Sequence, residues 1–222
     1  MSCFYAYAAD NKTITVKDGS QMAYIPSGVF TMGSEEPDMV QTAPAFKVHL
    51  DGFYIDKYEV TNEMFAAFLN SIKPSKEIRL EWIVLRSDLD TEERKSWWPT
   101  EIIYENGRYK AFKGFERYPV IAVSWYAADA YCKWAGKRLP TEAEWEKAAR
   151  GGFEGKRFPW GNEIPTGGVI FDRRWIDNQK AAPTEPVGNY FPNGYGLYDM
   201  AGNITEWCAD WYNANAYDSE PD

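Results

Sequence analysis

One run of eighteen residues constrains this chain more than any other. From Gly194 to Trp211 it reads Gly-Tyr-Gly-Leu-Tyr-Asp-Met-Ala-Gly-Asn-Ile-Thr-Glu-Trp-Cys-Ala-Asp-Trp. Asp199, Asn203 and Glu206 supply hard oxygen donors, and Gly202 lets the backbone turn sharply enough to bring carbonyl groups to the same point. Carboxylate, amide and main-chain oxygens together suit calcium, which takes about six to eight of them at roughly 2.3–2.6 Å. Spacing alone leaves a second reading open: a tight turn between two buried aromatic strands, with its acidic groups in water. The calcium loop with a strong spacing signature is the EF-hand, and this run is not one.

The rest of the chain can bury a core around such a turn. Its 222 residues fit one large domain or two small ones, and 45% of them are hydrophobic. With 10 Trp, 15 Tyr and 12 Phe it is not a disordered chain, which would have few aromatics. The 17 Gly and 13 Pro fall between short segments and predict a loop-rich fold. A net charge of −9 argues against a generally basic nucleic-acid surface; it serves solubility and also suits divalent cations or basic partners. No run approaches the roughly 18 apolar residues that span a bilayer. Residues 1–12 read as a leader remnant or tail: Ala6-Tyr7-Ala8 has the form of a signal-peptidase site, behind only a stub of apolar sequence. Three cysteines are an odd number. Cleavage after Ala8 would remove Cys3 and leave Cys132 and Cys208, as one disulfide or, in the preferred reading, two buried thiols.

Local signals place the elements. Ile14-Thr15-Val16 alternates and meets the turn Asp18-Gly19. Lys47 to Asp56 is a second extended run, around Asp51-Gly52. Thr61 caps a helix whose Phe65, Phe68, Leu69 and Ile72 share one face, ended by Pro74. Ser124 caps another, with Ala127, Ala130, Tyr131 and Trp134 on one face and Gly136 past its end. Thr141 and Glu144 form a capping box for a third, stopped by Gly151-Gly152. Between them, residues 74–118 are charged and Trp-containing. Glu105 to Arg108 forms a hairpin tip there, between Ile102-Ile103-Tyr104 and Tyr109-Lys110-Ala111-Phe112. Trp97 and Trp98 lie on its approach. This segment reads as a contact surface involving Trp97, Trp98, Tyr104 and Arg108, or equally as an inert elaboration.

A single histidine limits the chemistry. His49 sits in Phe46-Lys47-Val48-His49-Leu50, where alternation makes it an ordinary strand residue. A Ser-His-Asp triad would have to use it, and a two-histidine iron site cannot be built. A zinc site would need His49, Cys3, Cys132 and Cys208 together, without metal-type spacing.

Several segments, in order, resemble the formylglycine-generating enzyme family, also called the sulfatase-modifying factor family. They are Gly-Leu-Tyr-Asp-Met-Ala-Gly-Asn-Ile-Thr-Glu-Trp, Met22 to Gly33, Phe53 to Asn62, Pro119 to Gly152, Phe158 to Asn162 and Pro186 to Asn193. No one match is specific; together, in register, they are. The resemblance implies an α+β fold over residues 13–222, related to the C-type lectin fold, loop-rich, with short twisted strands and a few helices. It marks residues 74–118 as an insertion and the domain as incomplete at its C-terminus.

The resemblance also implies ligands. One calcium site carries over to Asp199, Gly202, Ile204 and Glu206, with Asn203 between them. A second, poorly preserved, falls on Asp172, Asp177 and Asn178. The family's copper is held by two neighbouring cysteines after an Arg-Gly-Gly-Ser-Trp segment, which lies beyond Asp222. Cys132 and Cys208 do not match that pair; Cys132 resembles a position that can pair with a cysteine near the family's C-terminus. No catalytic residue is assigned. The leading expectation is a calcium-stabilised binding or assembly module of an exported protein, periplasmic or extracellular. Its partner would be a protein, a complementing C-terminal fragment or a glycan, not nucleic acid. The rivals are the N-terminal part of a copper-dependent oxidase that converts a sulfatase cysteine to formylglycine, and an accessory subunit of a larger exported complex.

Overall fold

In a computed structural model, residues 13–35, 44–89, 100–163 and 184–213 are described. The expectations for residues 1–12, Trp97, Trp98, Asp172, Asp177 and Asn178 fall outside them. The architecture is α+β. Strands β1 (Thr13–Thr15), β2 (Gln21–Ile25) and β5 (Phe53–Asp56) form an antiparallel sheet in the order β1-β2-β5. Strands β3 (Gly28–Met32) and β4 (Phe46–Leu50) form a separate ribbon. The extended run from Lys47 to Asp56 is thus divided between two sheets at Asp51-Gly52. His49 is an exposed residue of β4, opposite Val29.

The helices start where their caps lie. Thr61 Oγ1 accepts from Met64 N at the head of α1 (Asn62–Ile72), and Lys73 closes it in a left-handed conformation. Ser124 caps α3 (Trp125–Ala135), which ends at Gly136 with φ 78°. Thr141 and Glu144 make the expected box on α4 (Glu142–Ala149). Each cap satisfies amides that the first turn leaves without partners. On α1, Phe65, Phe68 and Leu69 are buried, but Ile72 is 38% exposed, because the last turn runs past the core.

The segment 74–118 is a structural part of the domain. It forms α2 (Lys76–Trp82), a 3₁₀ turn (Arg86–Asp88) and the hairpin of β6 (Ile102–Glu105) and β7 (Arg108–Ala111). Asn106 and Gly107 have φ of 52° and 77°, the geometry of a two-residue hairpin turn. Ile83, Leu85 and Ile102 are fully buried with Phe65, Phe68 and Tyr131 in the larger core. Asn70 brackets Tyr109, donating to its carbonyl and accepting from its amide. Part of this segment thus fills the core, while another part, including Tyr104 (52% exposed) and Arg108, faces outward.

A smaller core joins Ala23 and Ile25 of β2 to Ala148 and Ala149 of α4 and to Leu197 and Met200. This second core holds the glycine-rich run in place. Asn193 donates to the carbonyls of Ala148 and Ala149 at the end of α4, while its Oδ1 accepts from the amides of Tyr195 and Leu197. A side chain at Gly194 would come within 2.2 Å of the Gly151 carbonyl, so only glycine fits there.

Candidate functional site

Around a cleft of about 1090 Å³, residues from β1, β2, β5, the β5–α1 connection, α3 and the Asp199–Trp207 loop converge. Two clusters of charge reach its wall, one through Asp56 and Lys137 and the other through Glu59 and Glu206.

The first is balanced. The Lys137 ammonium lies 2.8 Å from Asp18 and 2.6 Å from Asp56 and donates to Ser20. Tyr131 donates its hydroxyl to Asp18, and Ser20 ties the two aspartates through its amide and hydroxyl. Burial pushes Asp18 up, but hydrogen bonds from Lys137 and Tyr131 outweigh it and hold the carboxyl down at about 2. Burial dominates at Asp56, whose carboxyl is raised despite Lys137.

The second cluster lies where the loop meets the β5–α1 connection. Tyr198 N donates to Lys57 O, and the Tyr58 and Tyr198 rings stack 4.7 Å apart. Asp199, Gly202 and Asn203 have φ of 58°, 126° and 59°, so left-handed residues fold the loop back on itself. Asp199 accepts from Gly188 N at 2.6 Å. Asn203 accepts from Glu185 N and donates to Glu185 O and to Glu59 Oε2, the last at 2.7 Å. Trp207 donates its indole N–H to Val123 O and Ala209 N donates to Pro140 O, which fixes the C-terminal end of the loop.

This cluster is not balanced. Glu59 is 7% exposed, and its Oε1 is buried with no hydrogen-bond partner. Burial, then the charges of Glu206 and Asp199, push its carboxyl up to about 9, only partly offset by Asn203 and the Ile204 amide. Glu206 is an exposed residue on the cleft wall, so water limits the upward push that the surrounding protein atoms give its carboxyl. The Trp145 indole exerts a small opposing pull, and its N–H is itself buried outside hydrogen-bond geometry. Burial raises Asp199 too. Glu59, with one buried oxygen unpaired and the charges of Asp199 and Glu206 acting on it, thus has no positive partner among the described residues.

Of the expected ligands, Asp199, Gly202, Asn203, Ile204 and Glu206 thus share one folded loop. The Asn203 side chain is engaged with Glu59 and Glu185, so its main-chain oxygen is the one left to offer. Among the described residues no group of three or more His, Cys, Asp or Glu side chains is close enough to hold a metal unaided. Main-chain carbonyls would have to supply the rest. The hard oxygen donors and the unpaired Glu59 oxygen fit a calcium-like ion. Sequence reasoning missed Glu59, although it lies in the quoted Phe53 to Asn62 segment, because nothing local links it to a loop 144 residues away. It missed Lys137, Asp18 and Asp56 for the same reason.

Cys132 and Cys208 are free and half-buried. Burial pushes their thiols up to about 11 and about 12, so both are protonated at neutral pH, and neither is a thiolate ready for a soft metal.

Comparison with known proteins places these features. The sulfatase-modifying factor enzyme 1-like domain matches residues 7–221. The formylglycine-generating enzyme of Mus musculus is 37% identical over 221 residues, covering 88% of this chain and 59% of that protein. A Bos taurus relative named inactive C-alpha-formylglycine-generating enzyme 2 is 36% identical, covering 87% of this chain and 71% of its own. Among solved structures, PvdO from Pseudomonas aeruginosa superimposes with a TM-score of 0.61 at 26% identity, over 92% of this chain and 76% of that one. This chain spans little more than half the length of the mouse relative. The fold is that of the formylglycine-generating enzymes, and the chain belongs to the sulfatase-modifying factor family.

Proposed function

We propose that this domain is a calcium-stabilised binding or assembly module of an exported protein. The observation that carries the reading is the unbalanced acidic cluster. Asp199, Glu206 and Glu59 gather around a left-handed loop with a buried unpaired oxygen and no cation partner among the described residues. A calcium ion would be held by Asp199, Gly202, Asn203, Ile204 and Glu206, and would neutralise the loop. It would brace the wall of the cleft, with Trp211 (92% exposed), Tyr212 (90%) and Phe191 (90%) displayed nearby in the chain. Exposed aromatics are compatible with a contact surface, for a protein partner, a complementing C-terminal fragment or a glycan. Residues Tyr104 and Arg108 of the hairpin extend the outward-facing set. Among the described residues no helix is long and apolar enough to cross a membrane.

Similar identity to a named enzyme and to a relative named inactive leaves identity silent on catalysis. A second reading is favoured by the 37% identity to the mouse enzyme together with the 59% of it that is matched. In that reading this is the N-terminal part of a copper-dependent oxidase, whose cysteine pair lies on a further segment. Metal analysis of the complete native protein separates the two. One calcium without copper supports the module. Stoichiometric copper, with oxygen-dependent turnover of a cysteine peptide, establishes the oxidase. Co-purification of a stable partner would identify an accessory subunit, whereas a hit on a glycan array would identify a carbohydrate binder.

A further inference from the structure

We propose that the hairpin tip Asn106-Gly107 modifies itself: the main-chain nitrogen of Gly107 attacks the Asn106 side-chain amide, and the asparagine becomes aspartate and isoaspartate. The inference does not involve the calcium reading. Asn106 and Gly107 are both exposed, with φ of 52° and 77°, in the turn that joins β6 to β7. Among the described residues no hydrogen bond engages the Asn106 side chain or the Gly107 N–H. A Cβ at Gly107 would meet nothing within 4 Å, so the approach to the attacking nitrogen is open. Attack requires Asn106 to rotate out of its turn conformation. The pair that closes the turn, Glu105 opposite Arg108, is exposed on both sides, and an exposed hairpin end opens at little cost.

The step balances without an oxidant or reductant. Hydroxide takes the Gly107 amide proton, the nitrogen bonds to Asn106 Cγ, and the Cγ–Nδ2 bond breaks. Nδ2 leaves as ammonia, with a proton from water. Water then opens the cyclic imide, so that asparagine and water become an acid and ammonia. Opening at one carbonyl gives aspartate. Opening at the other gives isoaspartate, whose main chain runs through the side-chain carbon and is one atom longer, so Glu105 no longer faces Arg108. The same dipeptide occurs at Asn193-Gly194, in the opposite environment. Asn193 Nδ2 donates to Ala148 O at 2.8 Å and Ala149 O at 3.2 Å, and Oδ1 accepts from Tyr195 N and Leu197 N. The Asn193 main-chain N–H also donates to Leu197 O. Cyclisation there has to break the contacts that tie the glycine-rich run to α4.

Peptide mapping by mass spectrometry tests this on the full chain, held folded at mildly alkaline pH, with Asn106→Asp and a urea-unfolded sample alongside. The expected result in the folded wild type is acid formation at Asn106 at least about tenfold faster than at Asn193, because opening the locked site costs more free energy. The rate should rise with pH, and both aspartate and isoaspartate should appear, the latter detected with an isoaspartyl methyltransferase. Wild type should gain acidic species on ion exchange that Asn106→Asp does not gain, since that variant keeps a turn-compatible Asp-Gly but has no amide at the tip. If both sites convert in urea and neither converts in the folded chain, the turn protects Asn106 and the inference falls. Equal rates at the two sites in the folded chain overturn it as well, because the environment would then not select the site. Aspartate without isoaspartate would mean direct hydrolysis and would exclude attack by Gly107. Should the variant fail to fold, the wild-type map decides by itself.

Discussion

The two charge clusters of the cleft differ in one respect: the protein completes one and not the other. Around Lys137, two buried aspartates share an ammonium, a tyrosine hydroxyl and a serine, and Asp18 stays ionised far below its ordinary range. Around Glu59, a buried carboxyl held by one amide bridge feels the charges of Asp199 and Glu206, with no cation partner among the described residues, and all three carboxyls are raised. Burial acts on both clusters, so burial alone does not explain the difference. The decisive variable is whether the chain supplies the counter-charge. The first cluster reads as structure, while the second is the one the proposed calcium would complete.

The sharpest way to break this comparison is to unbalance the first cluster. Lys137→Met should leave Asp18 and Asp56 buried without compensation and lower stability by about 3–5 kcal/mol, read by urea denaturation. A loss under about 1 kcal/mol would show that water already reaches the pair. Balancing the second cluster should work in the other direction. Calcium at a hundredfold excess over its Kd should stabilise wild type by about 3 kcal/mol, visible as a raised Tm against a chelator control. No shift at millimolar calcium would remove the contrast.

Acid separates the clusters further. Asp18 titrates at about 2 when folded, below its ordinary 3.8. Its contribution is therefore complete above about pH 4 and is lost as pH falls through about 2, amounting to about 2 kcal/mol. The groups that face it are Lys137, Tyr131, Asp56 and Cys132, and none of the other three replaces the lysine charge. Asp18→Asn, destabilised at neutral pH by the lost ion pair, should lack this acid limb. Equal slopes for the two proteins between pH 4 and pH 2 would assign the limb to other carboxylates.

Legibility in the sequence follows the range of the interactions. Thr61, Ser124, Thr141 and Gly136 could be read because a cap is settled within three or four residues of itself. The hairpin tip at Asn106-Gly107 is equally local. The resemblance supplied the loop from Asp199 to Glu206. What could not be read is long-range. Nothing near Asp51 shows that β4 and β5 join different sheets. Nothing in the charged segment 74–118 announces that Ile83, Leu85 and Ile102 fill the core beside α1. Ile72 kept the period of its helix, yet faces outward. Lys137 meets Asp56 across 81 residues, and Glu59 meets Asn203 across 144. Both partnerships exist only once the sheet and the loop are in place.

The smallest effect is also the most diagnostic. Glu206→Gln in chelator removes a carboxylate from a cluster that has no cation to lose. The change in stability should stay within about 1 kcal/mol, and its sign should be favourable, because the repulsion that Glu206 exerts on Glu59 disappears with it. In the lysine cluster a comparable deletion strips a partner from a satisfied network and must cost more. If Glu206→Gln proves as damaging in chelator as Lys137→Met, then Glu206 already has a strong partner within the protein. The Trp145 indole N–H is the nearest such donor in prospect. The loop would then be self-sufficient, and the two clusters would be alike.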